Sequence, residues 1–268
     1  MIKKAHNGSC YIYMLLAIDI GNTSTKLGCF LNNKLALTHN LKTQEINESS
    51  IKNSLLKIAD KFPKPTKRIK GICISSVVPH LDKVIASSTQ SALNAPVLFV
   101  SHKTASLKTS IRNPEKIGAD RIANIVAAYA KYAQAAIVID FGTATTFDYV
   151  NNNGEFIGGV ITPGIQVFNE ILPEKTSKLP KTDLIKTKKI IGQDTVESMQ
   201  AGIFHGYIGL VNNILDKIRK ETKNKKIKVI LTGGFSKIIS KSINQNVDII
   251  PSLTLEGINI IWNENYCS

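Results

Sequence analysis

Two stretches of this chain repeat one order of residues, and that repeat constrains the fold more than any other feature. Leu15-Leu16-Ala17-Ile18-Asp19-Ile20-Gly21-Asn22-Thr23-Ser24-Thr25-Lys26 runs from an apolar strand through a carboxylate and a glycine into a hydroxyl-rich turn. Ile137-Val138-Ile139-Asp140-Phe141-Gly142-Thr143-Ala144-Thr145-Thr146-Phe147-Asp148 does the same, and Asp140 stands 121 residues after Asp19 in a chain of 268. An offset close to half the length predicts a duplicated domain, each lobe opening on a strand-turn-strand hairpin. The hairpins are expected to face a shared cleft, a usual place for a small ligand.

A carboxylate near the end of a buried strand is costly unless it meets a cation or hydrogen-bond donors. Gly21 lets the chain reverse, Asn22, Thr23, Ser24 and Thr25 bring hydroxyls, an amide and closely spaced backbone N–H groups, and Lys26 adds a positive charge. That set suits a polyphosphate with a metal on Asp19. Standing alone, the same residues also fit a plain β-hairpin with a polar Gly-Asn turn. The second copy tips the balance toward phosphate binding.

Composition narrows the partners. The formal net charge is +14, yet only four of the 34 basic residues, Arg68, Arg112, Arg121 and Arg219, are arginine, and the lysines are scattered. Base readout and stacking lean on arginine and aromatic side chains, so no specific nucleic-acid partner is expected. Cys10, Cys29, Cys73 and Cys267 are too far apart for a zinc pattern, and a reduced, cytoplasmic compartment fits their small number. His6, His39, His80, His102 and His205 show no ligand spacing. No run approaches the roughly twenty apolar residues of a membrane span, so no membrane partner is expected. Residues 1–13 lack the apolar segment of a signal peptide and are expected as a loose extension before Met14.

Between the repeats, hydrophobic spacing predicts strands at 26–30 and 34–38 around an Asn32-Asn33 turn and a helix over 48–62 stopped by Pro63 and Pro65. A strand at 71–78 closed by Pro79, a helix over 81–93 and a strand at 97–100 follow. Gly118-Ala119-Asp120-Arg121 falls where a loop enters a helix over 122–132. Asp120 there is either the helix N-cap or a functional carboxylate beside a guanidinium, a pair able to hold an anionic substrate while the acid takes a proton.

After the second repeat come a strand at 156–161, the pairs Gly158-Gly159 and Pro163-Gly164, and a helix near 166–172. A lysine-rich loop over 173–193 leads to a long helix over 195–218 carrying Gly202, Gly206 and Gly209. Glycines so dense weaken a helix, and close packing, including packing between subunits, is the expected reason. The strand from Lys228 ends at Gly233-Gly234, a turn open either to a nucleotide's adenosine or to plain strand-helix geometry. A strand at 248–251 and a helix over 253–262 close the chain.

With these residues in view, the chain from Met14 onward resembles the type III pantothenate kinases, within the actin-like superfamily that also holds sugar kinases and heat-shock ATPases. The likeness is carried by Asp19 to Lys26, by Asn113-Pro114 leading to Gly118-Ala119-Asp120-Arg121, and by Asp140 to Thr146. The pairs Gly158-Gly159 and Pro163-Gly164, the Thr195 helix and Thr232-Gly233-Gly234 add to it. Either hairpin alone indicates only the superfamily; Gly118 to Arg121 between them is more specific. The resemblance implies an α/β fold, duplicated and ribonuclease H-like as in the actin-like ATPases. Each of two lobes, 14–131 and 132–268, would hold a mixed five-stranded sheet with helices.

It also implies ATP-dependent phosphorylation of pantothenate to 4′-phosphopantothenate, the first step of coenzyme A biosynthesis, by a cytoplasmic homodimer. Asp19, Ile20, Gly21, Asn22, Thr23, Ser24, Thr25 and Lys26 would surround the ATP phosphates, with Mg²⁺ near Asp19, and Thr143 would hold them from the second lobe. Asp140 would help bind a monovalent cation, K⁺ or NH₄⁺. Gly118, Ala119, Asp120 and Arg121 would bind pantothenate, with Thr195 completing the pocket and Asp120 acting as general base. Ile111 departs from the family pattern, standing where relatives often have tyrosine. The phosphate hairpins do not read the acceptor alcohol, so the alternatives are another small-molecule kinase of the superfamily or a non-catalytic regulator associated with nucleic acid.

Overall fold

The structure, a computed structural model, describes residues 14–59, 61, 69–224 and 226–266. The extension expected over 1–13 and the helix stop at Pro63 and Pro65 lie outside the described residues. The chain divides into two compact units, one running to Val100 and taking up the chain again from Trp262, the other spanning Ser101–Ile261.

In the first unit, β1 (Met14–Ile20) has six buried residues of seven, as befits a strand covered on both faces. The chain then reverses into β2 (Ser24–Leu31) and β3 (Lys34–Lys42), passing through Asn32 and Asn33 at φ 48° and 64°. Asparagine tolerates that left-handed backbone because its short amide bonds locally. After α1 (Glu48–Ala59) come β4 (Ile69–Ser76), α2 (Pro79–Leu93) and β5 (Val97–Phe99), and the sheet runs in the order β3-β2-β1-β4-β5. Pro79 does not merely close the strand: it opens α2, where its fixed φ suits the first helical turn. Leu16, Ile18, Ile20 and Leu27 pack with Ile51, Leu55, Ile72, Ile74 and Ile85 into one core.

In the second unit, α3 (Ala119–Tyr132) precedes β6 (Ala136–Phe141), β7 (Ala144–Val150) and β8 (Phe156–Pro163). Then follow α4 (Ile165–Lys175), α5 (Thr195–Thr222), β9 (Lys228–Gly233), α6 (Ser236–Ser240), β10 (Val247–Ile249) and α7 (Leu253–Tyr266), whose residues from Trp262 on count with the first unit. The sheet order β10-β9-β6-β7-β8 repeats that of the first unit. Alternation along β6 splits its side chains between two cores. Ile137, Ile139 and Phe141 meet Met199, Ile203, Tyr207 and Val211 of α5, while Ala136 and Val138 meet Ile125 and Ala128 of α3 and Leu253 of α7. Thus α3, placed by its sequence position at the end of the first lobe, packs within the second unit.

Two elements differ from expectation. α4 runs through Pro173 to Lys175, because Phe168 and Leu172 pack on the core beside α5 and carry the helix past the missing N–H. α5 continues four residues beyond Ile218, to Thr222, before Lys223 turns left-handed at φ 52°. No helix among the described residues is long and apolar enough to cross a membrane.

Candidate active site

In the first unit, pairing of β1 with β2 sets Asp19 opposite Lys26 and Ile20 opposite Thr25. Residues directly opposite in an antiparallel pair project from one face, so carboxylate and ammonium share a side of the hairpin. On the other edge of β1, Ser75 Oγ donates to Asp19 Oδ1 at 3.3 Å. The turn of Gly21, Asn22 and Thr23 is closed by the Gly21 N–H on the Ser24 carbonyl at 3.1 Å. Thr43, just past β3, clasps it: its N–H donates to the Thr23 carbonyl at 3.0 Å and its Oγ1 to the Gly21 carbonyl at 2.7 Å.

Asn22, Thr23 and Ser24 are exposed at the tip, and Lys26 is half-buried. Thr25 differs from the expected display of hydroxyls. Strand alternation turns it away from Lys26, and its Oγ1 lies buried 3.0 Å from Thr43 Oγ1. The Ile20 side chain is likewise buried in the core, leaving only backbone for a ligand.

The second hairpin has a two-residue turn, Gly142-Thr143, and sets Asp140 opposite Thr146 and Phe141 opposite Thr145. Asp140 is held from two elements away: Asn124 Nδ2 of α3 donates to its Oδ2 at 2.9 Å, and Thr254 Oγ1 of α7 donates to Asn124 Oδ1 at 2.8 Å. Gly233, at φ 84°, comes so near that an added Cβ would stand 2.6 Å from Asp140 Oδ1 and from the Phe141 backbone. Only glycine fits there. Thr143 is exposed at the tip, its carbonyl accepting from the Gly164 N–H at 2.9 Å. The Thr145 hydroxyl is buried against that of Tyr207, whose phenol burial pushes up to about 12.

Asp120 is not the N-cap of α3. Gly118 occupies that place with no side-chain bond, and Asp120 sits in the first turn with its Oδ1 accepting the Arg121 N–H at 2.7 Å. Burial raises its pKa above the usual carboxylate value, while the Arg121 N–H and guanidinium pull the other way. The Arg121 side chain reaches β7, where Nε and Nη2 donate to Asp148 Oδ1 at 2.8 and 2.5 Å. Asp148 is fully buried, and its Oδ2 accepts from Thr146 Oγ1 at 3.0 Å. Burial pushes its carboxyl up to about 6 against the pull of Arg121. In the sequence Asp148 reads only as the tail of the second repeat. A carboxylate amid the buried residues of β7 is itself a sign that a cation must come to it.

Of the remaining expected residues, Gly118 is half-buried and Ala119 buried. Thr195 is the exposed first residue of α5, next to Asp194, whose Oδ1 caps the helix by accepting the Glu197 N–H at 2.8 Å. It lines a cavity of about 750 Å³ with Phe168, Leu172, Gly192, Ser198 and Met199. Ile111 packs against the core around Ile125, Val138 and Phe156. At Gly234 an added Cβ would meet nothing within 4 Å, so the backbone of that turn is open.

Among the described residues no three or more His, Cys, Asp or Glu side chains gather as a metal cage. A divalent ion that keeps its waters and rides on substrate phosphates needs only one or two carboxylates, and the half-buried Asp19 fits that requirement. The Asp140 carboxylate, oriented by Asn124, offers hard oxygen of the kind a simple cation takes.

The fold is that of actin-like ATPases and sugar kinases. A structure from Campylobacter jejuni, proposed as a Baf family transcriptional activator, superposes with a TM-score of 0.60 at 21% identity, covering 94% of this chain and 100% of that one. A proposed N-acetylmannosamine kinase from Listeria monocytogenes superposes with a TM-score of 0.55 at 13% identity, covering 94% and 99%. In sequence, the type III pantothenate kinase of Geobacter sulfurreducens is 38% identical over 260 residues, 94% of this chain and 99% of that protein. The family model for type III pantothenate kinases matches residues 15–217, the span that holds both hairpins, Gly118 to Arg121 and Thr195. The chain belongs to the type III pantothenate kinase family.

Proposed function

We propose that the chain transfers the γ-phosphoryl group of ATP to the terminal hydroxyl of pantothenate, the first step of coenzyme A biosynthesis, with Asp120 as general base. Family membership supports the kinase activity, with ATP and a divalent metal as its usual requirements. One observation carries the role of Asp120: its carboxylate is not spent capping α3, yet it is placed in the helix's first turn beside Arg121. Burial raises its pKa, as a proton acceptor needs, while the N-terminal end of the helix and the neighbouring cation act against that rise.

Phosphoryl transfer asks the protein for position and charge rather than covalent chemistry. Asp120 takes the proton of the pantothenate hydroxyl as that oxygen attacks the γ-phosphorus. Arg121 holds the pantothenate carboxylate, and Gly118, Ala119 and Thr195 shape the pocket. Asn22, Thr23 and Ser24 offer hydroxyls, an amide and N–H groups to the ATP phosphates, Lys26 offsets their charge, Gly21 and Ile20 contribute backbone, and Thr25 braces the turn from within. Thr143 takes the phosphates from the second hairpin. Asp19 would orient a Mg²⁺ brought with the triphosphate, which would offset charge on the phosphates, and Asp140 would hold K⁺ or NH₄⁺.

The working enzyme is a cytoplasmic homodimer in this proposal. Support comes from Gly202, Gly206 and Gly209, which are exposed on one side of α5 with open space where a Cβ would stand, and from exposed Ile157, Val160 and Ile161 on β8. The buried free thiols of Cys29 and Cys73 suit a reducing compartment. The test is a coupled ADP-release assay with pantothenate, run with and without K⁺ or NH₄⁺. Asp120→Asn is expected to keep both KM values and to lose turnover by about a hundredfold or more; wild-type turnover in that variant ends the assignment.

A further inference from the structure

We propose that Asp148 is a positioning residue for pantothenate: it grips Arg121 by the Nε side of the guanidinium and thereby presents the outer Nη1–Nη2 edge to the substrate's carboxylate. This rests on the proposed contact between Arg121 and pantothenate.

A guanidinium has five N–H donors in one plane. Asp148 takes one from Nε and one from Nη2, at 2.8 and 2.5 Å. Of the three it does not take, one on Nη1 and one on Nη2 form the outer fork that receives a carboxylate through two parallel bonds. The plane is fixed as well as the edge, for Arg121 Cζ lies 5.4 Å from the centre of the Phe156 ring. Asp148 is itself immobilised by Thr146, whose Oγ1 donates to Oδ2 at 3.0 Å.

β8 yields to this arrangement. At Gly159 an added Cβ would stand 2.6 Å from Asp148 Oδ1, 2.9 Å from Arg121 Nη2 and 2.3 Å from the Phe147 carbonyl. The strand approaches the pair only because that residue has no side chain. Stability alone does not account for the design, since a buried ion pair gains little over apolar residues of the same volume. The two exposures also differ: the Asp148 side chain is 0% exposed and that of Arg121 is 16%, so the pair is closed on the acid's side and open on the base's. A clamp for an anion needs that asymmetry.

The test compares Asp148→Asn, Arg121→Ala and the double variant, each with pantothenate and ATP varied in turn, and a thermal melt to verify folding. Asp148→Asn is nearly isosteric but replaces the charged grip with a weaker neutral one, so the pantothenate KM is expected to rise about tenfold. The ATP KM should stay within about twofold, and the double variant should be no worse than Arg121→Ala alone, as two residues acting through one contact require. An Asp148→Asn enzyme with unchanged pantothenate KM, beside an Arg121→Ala enzyme with a raised one, overturns the role of Asp148 and leaves that of Arg121 intact. An unchanged pantothenate KM in Arg121→Ala overturns both. If Asp148→Asn does not fold, Thr146→Val, which removes only the bond to Oδ2, is expected to raise the pantothenate KM about threefold with the ATP KM unmoved; no rise overturns the proposal.

Discussion

The two hairpins are copies that differ by one residue in the turn and, beyond the turn, in the side chain that faces each carboxylate. Three residues, Gly21 to Thr23, join β1 to β2, whereas two, Gly142 and Thr143, join β6 to β7. Counted from the turn, Thr25 and Thr145 hold the same place, opposite Ile20 and Phe141. Both are buried with their hydroxyls spent on a brace, Thr43 in one unit and Tyr207 in the other. One step further out, Asp19 faces Lys26 while Asp140 faces Thr146. The first carboxylate thus shares its face with the Lys26 ammonium, and the second shares its face with the Thr146 hydroxyl. Two steps beyond that, Gly28 opposite Ala17 in the first unit corresponds to Asp148 opposite Val138 in the second. Only the second copy has the acid that can pin Arg121.

The largest test of this contrast is Asp140→Asn. It is expected to lower turnover by about a hundredfold, the scale of losing one preorganised electrostatic contact, and to abolish the response to K⁺ or NH₄⁺. Asp19→Asn should lose activity while keeping its cation response. Equal cation responses in the two variants, measured by ADP release across a K⁺ titration, break the division of labour.

A smaller effect concerns pH. The Asp148 carboxyl is pushed up to about 6 by burial, against the pull of Arg121 and Thr146, with Asp120 nearby adding to the rise. As pH falls through about 6 it takes a proton, Arg121 loses its charged partner, and the pantothenate KM is expected to rise severalfold. The ATP KM, set away from the Arg121–Asp148 pair, should not follow. Loss of the Asp120 base at low pH registers in kcat instead. Stability runs the opposite way: the folded carboxyl lies above its ordinary 3.8, so this group's contribution to stability falls as pH rises from about 4 to about 6. Asp148→Asn should flatten both limbs; a KM limb that survives in that variant assigns the titration elsewhere.

The smallest effect separates brace from ligand site. Thr43→Val removes the hydroxyl bonds to Gly21 and Thr25 and is expected to cost about 1 kcal/mol, a fall in Tm of about 2–4 °C. The ATP KM should rise no more than about threefold. A larger rise in KM without loss of Tm makes Thr43 part of the phosphate site.

Much of this was legible in the chain itself. The spacing of Asp19 and Asp140 announced a duplication, and the apolar runs placed most strands and helices within a few residues, because buried strands and amphipathic helices write their period into the sequence. The exceptions have causes. Pro79 reads as a strand's end and residue 173 as the start of a loop, yet both prolines stand inside helices, one where proline suits the first turn, the other where core contacts outweigh a lost bond. Asp120 stood between cap and functional acid, a question the first turn of α3 answers against the cap.

The sequence by itself determined the pair of hairpins, their order and the neighbourhood of Asp120 and Arg121, since these depend on residues within one or two turns of chain. Only the tertiary structure decided which threonines face inward, what holds Asp140 and what aims Arg121. Register follows from the length of a turn, and the partners come from far along the chain: Thr43 for Thr25, Tyr207 for Thr145, Thr254 through Asn124 for Asp140, and Asp148 for Arg121. A buried polar group must find a partner somewhere, but which one it finds is settled by how strands and helices pack.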